Sequence, residues 1–193
     1  MQGGRERRIW TLLMNEGKSR RARRAEGQIF KVPLGEGRYA FGRVLEEPLV
    51  ALYDKIYFDK DDPEIAEIIS EPVAFKVWVM NYALTKGGWP IVGRIPLSDD
   101  LKVVPAFFKQ DPINGALTIY QAVPELAPQY ERPATYGECL GLEAAAVWNP
   151  AHVQDRLRDH FAGRRSKWSE SVRTPAEFRA WREEMRQRRV LPE

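Results

Sequence analysis

The chain has 193 residues, 44% hydrophobic and 30% charged, which is the composition of a folded protein with one substantial core. A single cysteine, Cys139, excludes an internal disulfide and fits a reducing compartment, and no apolar run approaches the roughly 20 residues of a membrane helix. The net charge of +3 divides into +5 for residues 1–27, −6 for 28–150 and +4 for 151–193, so the basic excess that would suggest nucleic acid lies in the two ends.

Residues 1–26 read as a basic extension, helix or tail, in which GGRERR and KSRRARR flank the apolar stretch Ile9 to Met14. That stretch is too short for a secretory leader, so the cytoplasm is the expected location. From Gln28 the period becomes two: Phe30, Val32 and Leu34 alternate with Ile29 and Lys31. Gly35-Glu36-Gly37 forms the turn of a hairpin, and Tyr39, Phe41 and Arg43 then alternate with Ala40, Gly42 and Val44. Gly42 inside a strand implies a bulge, a bend or the close approach of another group.

A third strand is expected over Leu49 to Phe58, after the break at Glu46-Glu47-Pro48. Asp62-Pro63-Glu64 then reads as a helix start, with Asp62 as cap and Ile65, Ile68 and Ile69 on one face. Val73, Phe75, Val77 and Val79 mark the next strand, and Gly87-Gly88 turns the chain into another, WPIVGRIPL. The apolar cluster Val103, Val104, Phe107 and Phe108 is assigned to a loop, Leu117 to Val123 to a strand, and Pro124 to Pro133 to a loop. The remainder is expected to be helical: Asn149-Pro150 caps a helix bearing Val153, Leu157 and Phe161, and Thr174-Pro175-Ala176-Glu177 opens another. Strands first and helices last give an α+β fold, a small antiparallel, barrel-like sheet followed by C-terminal helices. Residues 27–165 form its core domain and 166–193 a helical extension.

Chemistry-bearing patterns are sparse. His152 and His160 stand two helical turns apart, too far for joint metal ligation, and no Cys cluster or HExxH occurs. A Cys139–His152 pair lacks an activating context, and Gly35-Glu36-Gly37 leads into a strand, without the helix N-terminus that a phosphate loop needs. Asp61-Asp62, Asp99-Asp100 and Glu46-Glu47 read as solvated or capping loop charge. Glu143, in LGLEAAAVW, is either buried and paired with backbone or an arginine, or turned outward from a helical edge. RRARR and GRRSK are read as solvated, helix-favouring charge, with phosphate contact as the alternative. No catalytic residue, metal or cofactor is assigned.

In order along the chain, GQIFKVPLGEGRYAFGRVL, LVALYD, VAFKVWV, KGGWPIVGRIPL, PAFFKQD and GECLGLEAAAVWNPAHVQDRLRDHF resemble the immunity protein 26 family of bacterial polymorphic-toxin systems, over about Gly27 to Phe161. Gly37, Gly42, Trp89, Gly93, Glu143 and Trp148 belong to those stretches and are expected to be structural. The resemblance implies a non-catalytic protein, made beside a toxin, that binds the toxin domain and blocks it. The acidic middle suits a basic, nuclease-type toxin. Glu36, Tyr39, Tyr53 and Asp54 are the expected contacts, as exposed acids and aromatics near the hairpin and third strand. A nucleic-acid-binding adaptor using the basic termini is the alternative function, and a hydrolase a more distant one. No membrane partner is expected, and the sequence leaves the oligomeric state open.

Overall fold

The computed structural model describes residues 24–86, 88–121, 130–169 and 171–188. The basic tail, Gly87 of the Gly-Gly turn and most of the Pro-rich loop lie outside the described residues. The elements are β1 (Gln28–Gly35), β2 (Arg38–Val44), β3 (Leu49–Tyr53), β4 (Tyr57–Phe58), α1 (Ile65–Ser70), β5 (Val73–Val79), α2 (Tyr82–Thr85) and β6 (Ile91–Arg94). Then follow α3 (Asp99–Lys102), β7 (Phe107–Gln110), β8 (Leu117–Gln121), β9 (Tyr130–Pro133), α4 (Tyr136–Cys139), β10 (Glu143–Ala144), β11 (Val147–Trp148), α5 (Pro150–Phe161) and α6 (Pro175–Gln187).

The strands form two mixed sheets, which corrects the expectation of one antiparallel, barrel-like sheet. The larger runs β11-β5-β3-β2-β1-β6, with β4 added beside β2, and the smaller runs β10-β7-β8-β9. β11 on β5 and β10 on β7 are parallel pairs, made by chain that returns to a sheet edge after a long excursion. The larger sheet stays open because both of its faces are covered. Phe30, Val32, Leu34, Ala40, Val50, Leu52 and Val77 pack beneath Val153 and Leu157 of α5. On the opposite face Ile29, Tyr39, Phe41 and Tyr53 meet Ile68 of α1, while Leu45, Leu49 and Ala51 meet Leu97, Leu101 and Phe107. Layers on either side bury what closure would otherwise have to enclose.

Local expectations differ from the structure at several places; one is the end of the expected Pro124 to Pro133 loop, where Tyr130–Pro133 forms strand β9 on β8. The third strand breaks after Tyr53, where the Asp54 amide turns to the Pro72 carbonyl (2.7 Å), and β4 crosses to pair with β2. The helix after Pro63 is capped by Glu64 and begins at Ile65, two residues later than an Asp62 cap implies. Phe107 and Phe108 lie in a strand, and Trp78 reaches across from β5 to pack its ring 4.4 Å from that of Phe107, joining the two sheets. Finally, GLEAAAVW forms two short strands. The alanines favour helix, but pairing with β7 and β5 overrides that local preference. The two capped helices are as expected: Asn149 accepts from the Ala151 amide and Thr174 from that of Glu177.

Arg24, within the basic extension, is tied into the domain. Its guanidinium is buried and donates to the carbonyls of Leu49 and Val79, each at 3.0 Å. Burial lowers its pKa, and Glu47 opposes that effect.

Candidate functional site

The hairpin turn needs left-handed backbone at three successive residues, Gly35 (φ 82°), Glu36 (φ 56°) and Gly37 (φ 69°). Two are glycine; Glu36 adopts the conformation at a cost, and its carboxylate receives Arg38 at 2.5 Å. The Gly37 carbonyl accepts from the Asp59 amide (2.8 Å), which joins this turn to the one after β4. There the Asp61 carboxylate accepts from the Phe58 amide (2.7 Å), and the Asp61 carbonyl accepts from the buried Tyr39 hydroxyl (2.8 Å). Three residues later Glu64 caps α1, and the Glu67 carboxylate accepts from the Glu64 amide (3.1 Å).

These links gather charge at one end of the larger sheet. Residues 59–67 carry five carboxylates against Lys60 alone. Burial raises the Tyr39 phenol pKa, and Asp61, Asp59 and Asp62 raise it further, so all three acids act on that point. Lys31 is the compensating charge, 3.5 Å above the Tyr39 ring and 4.0 Å from Asp59. In the middle of these acids Phe58 is 46% exposed. An exposed aromatic ringed by charge is the arrangement of an interface anchor.

Of the expected contacts, only Glu36 lies on this acidic end with an exposed side chain, and its carboxylate is paired with Arg38. Tyr39 and Tyr53 are core residues, 3% and 2% exposed, because their strand positions face inward; the expectation of exposed aromatics there is corrected. Asp54 is exposed but engaged by His160 of α5 at 2.7 Å. The sequence reading missed Phe58 by placing it inside a continuous strand, and it took Asp61 and Asp62 only as solvated or capping charge. The signal available was the density of acids from Asp59 to Glu67.

The other motif residues sit in packing. A Cβ on Gly42 would lie 2.5 Å from the Phe30 ring and 2.8 Å from the Ala51 carbonyl, and Phe30 in turn stacks on Trp89 at 5.3 Å. Gly93 makes room for Ile65, Gly37 lies beside Asp59, and Trp148 is buried in the main core. Glu143 takes both arms of Arg156 (2.5 and 2.9 Å), and Arg156 spreads over the Phe75 ring at 4.0 Å. Glu143 is thus paired with an arginine, from a strand position.

Burial pushes the Cys139 thiol up, away from a reactive thiolate, and His152 is stacked on Trp168 at 3.6 Å. Among the described residues no three His, Cys, Asp or Glu stand together as metal ligands, and no helix is long and apolar enough to cross a membrane. What the site offers is an acidic surface with an exposed aromatic, Phe58, among its charges. Residues 25–116 match the model of the immunity protein 26 family. Immunity protein 26 belongs to polymorphic-toxin systems; the family is typically non-catalytic, and membership implies neutralisation of a cognate toxin. The matched residues contain the hairpin, β4, α1 and therefore the whole acidic end, while the GLE and VW strands lie beyond them. No curated protein and no solved structure matches the chain.

Proposed function

We propose that this immunity protein neutralises a basic toxin domain, of the kind that acts on nucleic acid, by docking the acidic end around Phe58 onto it in the cytoplasm of the producing cell. The observation that carries the reading is the concentration of acids from Asp59 to Glu67 around a 46% exposed phenylalanine. A cationic partner gains speed and selectivity from such a field, and Phe58 supplies the apolar anchor that charge alone lacks. Glu36, on the adjacent turn, adds to the same surface. The cytoplasmic setting is supported by the lone, buried thiol.

The test is co-expression with the cognate toxin together with binding of the purified pair across a salt series. Wild-type protein rescues growth, and its association slows as salt rises. Asp62→Lys and Phe58→Ala each weaken binding about tenfold or more, with thermal unfolding unchanged. Full rescue by the double variant, or binding indifferent to salt, defeats the proposal.

A further inference from the structure

A second charged feature, of opposite sign, lies beyond the family-matched residues. After α5 the chain is held at three points. Trp168 stacks on His152 and donates its indole N–H to Asp155 (3.0 Å); Val172 enters the core of the smaller sheet; and the Arg173 backbone exchanges two hydrogen bonds with the Gln110 side chain (3.0 and 3.1 Å). These anchors frame a cavity of about 370 Å³ whose walls include Arg165, Lys167, Trp168, Ser169, Ser171 and Arg173.

The three cations rest against neutral groups, while Arg165 and Arg173 act through space on Glu177 and Lys167 on Asp155. Arg165 donates to the Ser171 hydroxyl (2.9 Å), Lys167 sits 4.8 Å from the Trp168 ring centre, and Arg173 lies 4.6 Å over Trp181. Among the described residues none of them forms an ion pair, whereas nearby Arg164 is matched with Asp159, and Arg186 and Arg188 with glutamates of α6. Among the described residues one carboxylate, Glu177, lines the cavity; it accepts from the amide and hydroxyl of Thr174 (2.8 and 2.9 Å), and its pKa is lowered by those bonds and by Arg165 and Arg173. Arg165, Lys167, Arg173, Ser169 and Ser171 thus line one space within the range of small-molecule sites, with the Arg173 guanidinium at its edge beside Trp181.

We propose that this cavity binds the phosphate group of a small phosphorylated ligand, of nucleoside-monophosphate size. The forks of Arg165 and Arg173 would share the phosphate oxygens, Lys167 would supply a point charge, and Ser169 would donate from the wall. The site is independent of the acidic end and of toxin docking.

Calorimetric titration of the full chain tests this, with inorganic phosphate and adenosine monophosphate as separate probes. Saturable one-site binding of at least one probe is expected, with adenosine monophosphate the tighter if the base and ribose contribute. Arg165→Gln, Lys167→Gln and Arg173→Gln each lose about tenfold or more, while Arg179→Gln, on α6 outside the cavity, binds as wild type. Arg165 and Lys167 are exposed, so their variants keep the wild-type unfolding temperature and still neutralise toxin. The proposal fails if neither probe saturates at millimolar concentration, or if Arg179→Gln loses as much as the cavity variants. It also fails if an unphosphorylated single-stranded oligonucleotide outcompetes both probes, which would make the surface a nucleic-acid groove.

Discussion

In the larger sheet the residues facing α5 and those facing α1 are almost all buried, so each central strand contributes two apolar faces. The smaller sheet differs: Phe108 and Ile119 are buried with Cys139 and Val172, but β9 lies largely at the surface. Its surface is held by ion pairs, Lys109 with Glu131 on one face and Arg132 with Glu138 on the other, between residues about two-fifths exposed. Exposed pairs of this kind contribute at most about 1 kcal/mol each, whereas a fully buried aromatic contributes several. Stability therefore resides in the larger sheet. The family match covers that sheet apart from β11, and takes in only β7 of the smaller one. The smaller sheet and α6 are therefore expected to have the lower local stability.

The widest gap is expected between two truncations. Trp89→Ala removes a fully buried indole stacked on Phe30 and should cost about 4 kcal/mol in urea unfolding, against about 2 kcal/mol for Ile119→Ala in the smaller sheet. Equal losses would mean that the two sheets share one core energetically.

Cys139 offers a finer probe, because it is buried in the smaller sheet. Its alkylation in the native protein should proceed through local opening, faster than global unfolding measured under the same conditions. Labelling locked to the global rate would erase the distinction between the sheets.

The smallest effect is a pH dependence. The Thr135 amide, then Arg132 and the Thr135 hydroxyl, hold the Glu138 carboxyl down to about 2 from its ordinary 4.5. A carboxylate lowered on folding stabilises above its unfolded value and loses that contribution as pH falls through the folded one. The α4 cap should therefore weaken between about pH 4.5 and 2, seen as a shift of the Thr135 amide resonance, and Glu138→Gln should flatten that step.

Much of the larger sheet is legible in the chain because period-two alternation, a glycine turn and Pro-bearing caps are local signals. The alternation of Phe30, Val32 and Leu34 with Ile29 announces a strand whichever neighbours it finds. Arg43 shows the limit. It shares the inward phase of Tyr39 and Phe41, but only the folded chain brings the Ile95 and Pro96 carbonyls to its guanidinium (2.9 and 2.7 Å). The short strands at Glu143 and Val147 are illegible for the same reason: two residues carry no period, and their partners lie far away in sequence.

For the candidate surface, sequence alone determined the sign of the charge and the family pattern, since both are properties of composition and order. It did not determine which acids share a surface. That depended on the Gly37–Asp59 link, on β4 crossing to β2 and on Phe58 facing outward at that crossing. Tertiary structure also decided that Tyr39 and Tyr53 are core, and that Arg165, Lys167 and Arg173 face one cavity. Proximity in a fold is set by long-range pairing, and local propensity carries no record of it.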